Sequence, residues 1–191
     1  MPAKEKLENI LETYGSLKEI SDSAKGIIMR EPGSSFARRI ISPEKAKRKK
    51  RREDAVDDYF DSLQKQIKEY CILDMITTFE QVVFAKIDNA YGEIKSTVKK
   101  EYKKRGSKDK PAPLYNSAPA FIKTKADIHN LSGAKKLLEK QISQKSFNDL
   151  TEIIEYRNWL SHGKRNTVGK YSKLSLDEIY EIFVKILDEI Q

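Results

Sequence analysis

Residues 146–163 read SFNDLTEIIEYRNWLSHG, and this stretch decides how the rest of the chain is read. Ser146 can cap the first free amides of a helix, and Asp149 then lies in the first turn, where negative charge is favoured. Gly163 is placed to end that helix just after His162. Counting about 100° per residue from Phe147, Leu150, Ile153, Ile154 and Leu160 fall between about 220° and 340°, a single apolar face. Arg157 falls at about 280° in the same count, in the middle of that face. Arginine is rarely buried without a partner, because removing its charge from water is costly. Three roles fit it: a guanidinium at the edge of a partly buried face, a structural partner of a buried carboxylate, or a positive charge lining a crevice.

The neighbours of Arg157 narrow the chemistry. Asn158 and His162 are one turn apart on a shared edge, so the amide can orient the imidazole. Arg157 and His162 are five residues apart, hence about 140° apart around an ideal helix. A long side chain, a frayed last turn or a second subunit has to bring them together. Histidine can shuttle a proton near neutrality, and arginine can grip a phosphate with two parallel hydrogen bonds. Together they suit transesterification of RNA without a metal or other cofactor. His129 and His162 are the only histidines and Cys71 the only cysteine, so no metal-binding cluster stands out.

Outward from this helix the chain reads as all-α. Ser175 and Glu178 form a capping box that opens a last helix. Upstream, Asp127 to Ile142 reads as a helix, preceded by the three-proline stretch RGSKDKPAPLYNSAPA at 105–120. Residues 54–105 carry apolar side chains at helical spacing, among them Val56, Phe60, Leu63, Ile76, Phe79, Val83 and Ile87. A break is expected near residue 70 or near Asp88–Gly92, since one helix of that length is unusual in a compact domain. Residues 4–30 read as one or two helical pieces ended by the EPGSS breaker at 31–35, and Ser42-Pro43 as a further helix start.

The 191 residues hold 37 Lys and Arg against 29 Asp and Glu, a formal charge of +8, which points to an anionic partner. Seven of the eight residues 45–52 are basic, and a second basic cluster runs from Lys99 to Lys110 with Tyr102 and Tyr115 nearby. Lys164 and Arg165 directly follow the histidine and are the preferred secondary phosphate contacts. A lone cysteine and a charged N-terminus without an apolar core predict a reducing, cytoplasmic setting. No run approaches the ~18 apolar residues of a membrane span, so no membrane partner is expected.

The string Glu155-Tyr156-Arg157-Asn158-Trp159-Leu160-Ser161-His162-Gly163 resembles the signature of the HEPN superfamily: an arginine, a polar residue, then a histidine a few positions on, near a helix end. Phe79-Glu80, upstream in an apolar run, is similar to the aromatic–Glu pair of several small bacterial members. The resemblance spans about residues 54–191 and divides the chain into an unassigned N-terminal segment, 1–53, and a HEPN-like domain, 54–191. It implies an antiparallel helical bundle that forms homodimers with two Arg/His motifs facing one cleft. It also implies a metal-independent endoribonuclease, as a toxin with an antitoxin or as an antiviral defence effector. Arg157, Asn158 and His162 would be catalytic. The alternative is a catalytically inactive module that binds RNA or a protein. A third reading, a helical interaction protein or toxin-neutralising partner, keeps Arg157 in a structural ion pair. Glu80 could pair with Arg157 or be a half-exposed glutamate, and His129 reads as a surface or capping residue.

Overall fold

Ala3–Arg30 forms a single helix, α1, with Glu5 in its first turn and Arg30 in its last, the signs that the helix dipole favours. Neither Gly15 nor Gly26 breaks it. A Cβ at Gly15 would meet nothing within 4 Å, so that glycine fills no steric need and is carried by the helix around it. Pro32 accounts for the stop, because the residue before a proline is pushed out of the helical region, and Glu31 has φ −120° and ψ 64°.

The protein is all-α. The computed structural model describes residues 2–41, 49–104, 130–162 and 174–190, with the backbone alone for 49–51 and 97–104. Among these residues there are six helices and no strand. Ser35–Ile40 is α2, Lys49–Lys104 is α3, Leu131–Leu138 is α4, Gln144–Ser161 is α5 and Leu176–Glu189 is α6. None is long and apolar enough to cross a membrane.

The 56 residues of α3 run without the break expected near residue 70 or Asp88–Gly92. The stretch contains no proline, and Gly92 is solvent-exposed with open space where a Cβ would sit. Nothing therefore removes a ladder hydrogen bond, and a lone exposed glycine costs only about 1 kcal/mol.

Two compact units are present, Met1–Met75 and Ile76–Gln191, and their division falls inside α3. In the first, Ile28, Ala37, Ile41, Val56 and Phe60 form a buried cluster, with Ala24, Met29, Ile40 and Leu63 packed against it. Ser34 starts α2 by accepting the Ala37 amide at 3.2 Å, which lets Ala37 and Ile41 turn inward. Polar pairs flank this cluster: Lys25 Nζ lies 2.7 Å from Asp57 Oδ1, and Gln64 Nε2 donates to Asp22 Oδ1 at 2.6 Å. The hydrogen bond to Asp57 raises the Lys25 pKa above its ordinary value.

In the second unit the rings of Phe79 and Phe183 stack with centroids 4.0 Å apart and 5° between planes. Val83, Leu150, Ile153, Ile179 and Ile186 are buried alongside in this unit. Each such side chain contributes roughly 1.5–3 kcal/mol by leaving water. Asn130 caps α4 by accepting the Gly133 amide at 2.8 Å, so the helix expected over 127–142 occupies 131–138 among the described residues. Ser175 and Glu178 form the expected reciprocal capping box at the start of α6.

Candidate functional site

The candidate motif lies at the end of α5, and the start of that helix shows how it is held. The N-cap is Ser143, not Ser146: its side chain accepts the Ser146 amide at 3.3 Å. The helix therefore begins three residues before the start expected from sequence, and Asp149 lies beyond the first turn, which holds no acidic residue. Ser146 is instead a buried first-turn residue whose hydroxyl donates to Glu189 Oε1 at 3.1 Å. The Ser143 hydroxyl donates to the same oxygen at 3.0 Å, and the Ser143 amide donates to Oε2 at 3.0 Å. The last turn of α6 thus supplies a carboxylate to the open amide end of α5, where negative charge is favoured. Burial works to push the Glu189 carboxyl up, but the three serine donors, with Lys185 at 3.8 Å, outweigh it and hold the carboxyl below its ordinary value.

Along α5, Leu150, Ile153, Ile154 and Tyr156 are buried, as the apolar face predicts. Arg157, Asn158, Trp159 and Leu160 are half-buried, and Ser161 and His162 are exposed. The helix rises out of its packing over its last turn. Of the three roles open to Arg157, its half-burial matches a guanidinium at the edge of the face. Its Nη1 donates to Asn158 Oδ1 at 3.3 Å. Trp159 stacks on Tyr156, centroids 5.8 Å apart and 18° between planes, so its indole packs on its own helix.

His162 is the C-cap, at φ −89° and ψ 19°, and its backbone amide donates to the Asn158 carbonyl at 3.0 Å. Asn158 therefore touches both partners, Arg157 through its side chain and His162 through its backbone. The sequence-based pairing of the Asn158 amide with the imidazole takes a different form here, because the carboxamide oxygen is engaged by Arg157.

Glu80 does something not foreseen from sequence. Its Oε1 accepts the Leu131 amide at 2.8 Å and so caps α4 together with Asn130. Lys164, Arg165, Gly163 and His129 lie outside the described residues. So do Ser42-Pro43, most of the 45–52 run and the loop at 105–120, while the side chains of 49–51 and 97–104 are likewise not described. Among the described residues no group of three or more His, Cys, Asp and Glu side chains is gathered as a metal site would require.

Sequence reasoning missed the Ser143–Ser146–Glu189 cluster. Two serines spaced like a cap and its third helical residue were the available signal, but the carboxylate that joins them is more than forty positions away. The chain matches no protein-family model, no curated protein and no solved structure.

Proposed function

We propose that this protein is a metal-independent endoribonuclease of the HEPN type, acting as a homodimer on RNA through Arg157, Asn158 and His162. The observation that carries the reading is a cation kept half out of the core at the end of a helix, hydrogen-bonded to an asparagine whose carbonyl holds the cap histidine. An arginine with a purely structural duty is expected to be sealed by a carboxylate. The Glu80 carboxylate, the upstream candidate for that duty, caps α4 instead.

In this reading Arg157 holds the scissile phosphate and offsets the charge that builds on it. His162 takes the proton from the 2′-hydroxyl as the 2′-oxygen attacks phosphorus, and returns a proton to the departing 5′-oxygen. The phosphodiester becomes a cyclic 2′,3′-phosphate and a 5′-hydroxyl, with no change of oxidation state. Asn158 ties the two groups to one another, and Lys164 and Arg165 extend the phosphate contacts. A second copy facing the first would relieve the angular separation of the two groups along one helix. A toxin or antiviral defence role, with an antitoxin or defence-system partner, follows from the same resemblance.

The test is purified protein with total RNA in EDTA, beside Arg157→Ala and His162→Ala. Cleavage lost in both variants supports the proposal. Tight RNA binding without cleavage replaces the nuclease with an inactive RNA-binding module. Neither binding nor cleavage removes RNA from the account and leaves a helical interaction protein.

A further inference from the structure

We infer that the outer face of α1 is a self-association surface that pairs with α1 of a second copy, antiparallel, about a two-fold axis level with Ser21. The inference stands on the first unit alone and does not rest on the reading of the Arg157–His162 motif.

Three large aliphatic side chains of α1 are left in solvent: Leu17 at 37%, Ile20 at 64% and Ile27 at 48% exposure. The opposite side of the same helix buries Leu7, Ser21 and Ile28, so the packing within the unit is already made. Counting about 100° per residue, Ser16, Leu17, Ile20, Ser23, Ala24 and Ile27 share one face, and no charged residue falls on it between Asn9 and Ile27. Exposed single leucines are ordinary, but an uncharged stripe of this length on a chain that is 35% charged is not.

The order of residues along the stripe identifies the occupant. Laid antiparallel on itself about the level of Ser21, the stripe sets each large side chain opposite a small one. Ile20 meets Ser23, Ile27 meets Ser16 and Leu17 meets Ala24. Large against small is what lets two helix surfaces interdigitate at ordinary packing distances. The charges agree. Glu12 and Arg30 lie on the same edge of the stripe, nine residues either side of Ser21, and both are exposed. The antiparallel two-fold therefore places Glu12 of each copy level with Arg30 of the other, giving two opposite-charge pairs and no like-charge pair at those positions. A parallel arrangement would set Glu12 against Glu12. A helix stripe of this kind covers a few hundred Å² per copy, below the ~800 Å² per partner of a standard stable interface, so the dimer is a reversible one.

Sedimentation velocity of the full chain over a broad concentration range tests this. The expected result is a monomer–dimer equilibrium that Ile20→Glu shifts entirely to monomer, with Ile27→Glu as an independent second variant. Both side chains are largely in solvent, and an unchanged far-UV circular dichroism spectrum confirms that each variant is folded. Arg30→Glu weakens association severalfold, and Glu12→Arg with Arg30→Glu restores it, a rescue that a general loss of stability could not produce. A monomer at every concentration overturns the inference. So does a dimer that survives both isoleucine variants, or a charge swap that fails to rescue.

Discussion

The two ends of α5 are built on opposite terms. At its start, the Ser143 amide and hydroxyl and the Ser146 hydroxyl all give their hydrogens to Glu189, and Ser146 is buried. At its finish, a half-buried cation makes one 3.3 Å bond to its neighbour and an exposed histidine closes the helix. Satisfied, buried donors at one end fix where the helix begins and how it is oriented. Under-committed polar groups at the other leave room for a ligand. The difference teaches a division of labour along eighteen residues: the first turn carries stability, the last turn carries chemistry.

Changes at the finish should give the largest effects, and should touch activity alone. With either Arg157→Ala or His162→Ala, RNA cleavage is expected to fall by at least ~10²-fold, the usual scale for removing a positioned acid–base group. The thermal midpoint should stay near that of the parent, since neither side chain is in the core. A large drop in midpoint in either variant would return Arg157 or His162 to a structural role.

The start of the helix should respond in the opposite way. Glu189→Ala strands the hydroxyl of buried Ser146, and should cost about 1–3 kcal/mol in chemical denaturation. RNA cleavage, measured well below the midpoint, should change little. Ser143→Ala removes the cap but leaves Glu189 its bond to the backbone amide, so the expected loss is smaller, about 1 kcal/mol. If Ser143→Ala proved as costly as Glu189→Ala, the carboxylate would be adding nothing beyond an ordinary cap.

The smallest effect is in pH. The Glu189 carboxyl titrates lower in the folded chain than its ordinary 4.5, because the donors around it favour the anion. A depressed carboxyl contributes stability that is fully present above its unfolded pKa and is lost as pH falls through the folded one. Between neutral pH and acid below 4.5, the parent should therefore lose stability more steeply than Glu189→Gln, which has no anion to lose. Parallel curves for the two proteins would show that these hydrogen bonds do not discriminate charge.

What the sequence showed, and what it hid, follows from the range of the interactions. Local signals were legible. The Ser175–Glu178 box, the stop at Glu31-Pro32, the apolar face of α5 and its end beside His162 all depend on residues within a turn or two of one another. The start of α5 was misplaced because Ser143 and Ser146 both offer a hydroxyl three residues before an open amide, and only distant Glu189 separates the cap from the first-turn residue. The unbroken course of α3 was hidden by a general expectation about helix length that has no counterpart in its prolineless sequence. Glu80 could be placed on the rim of its helix, but the Leu131 amide it serves is fifty-one positions away. The half-burial of Arg157 could be framed from periodicity but not chosen among its three roles, since that depends on what else covers the face.

The only thiol of the chain carries a further consequence. Cys71 is buried, and burial, with Asp74 adding to it, pushes the thiol pKa above its ordinary value. The reactive species is the thiolate, so alkylation in the closed state is doubly suppressed. Its modification rate in mild denaturant then follows how often the surrounding helix opens. The protein comes with one internal clock for local unfolding, and no second sulfur to confuse the reading.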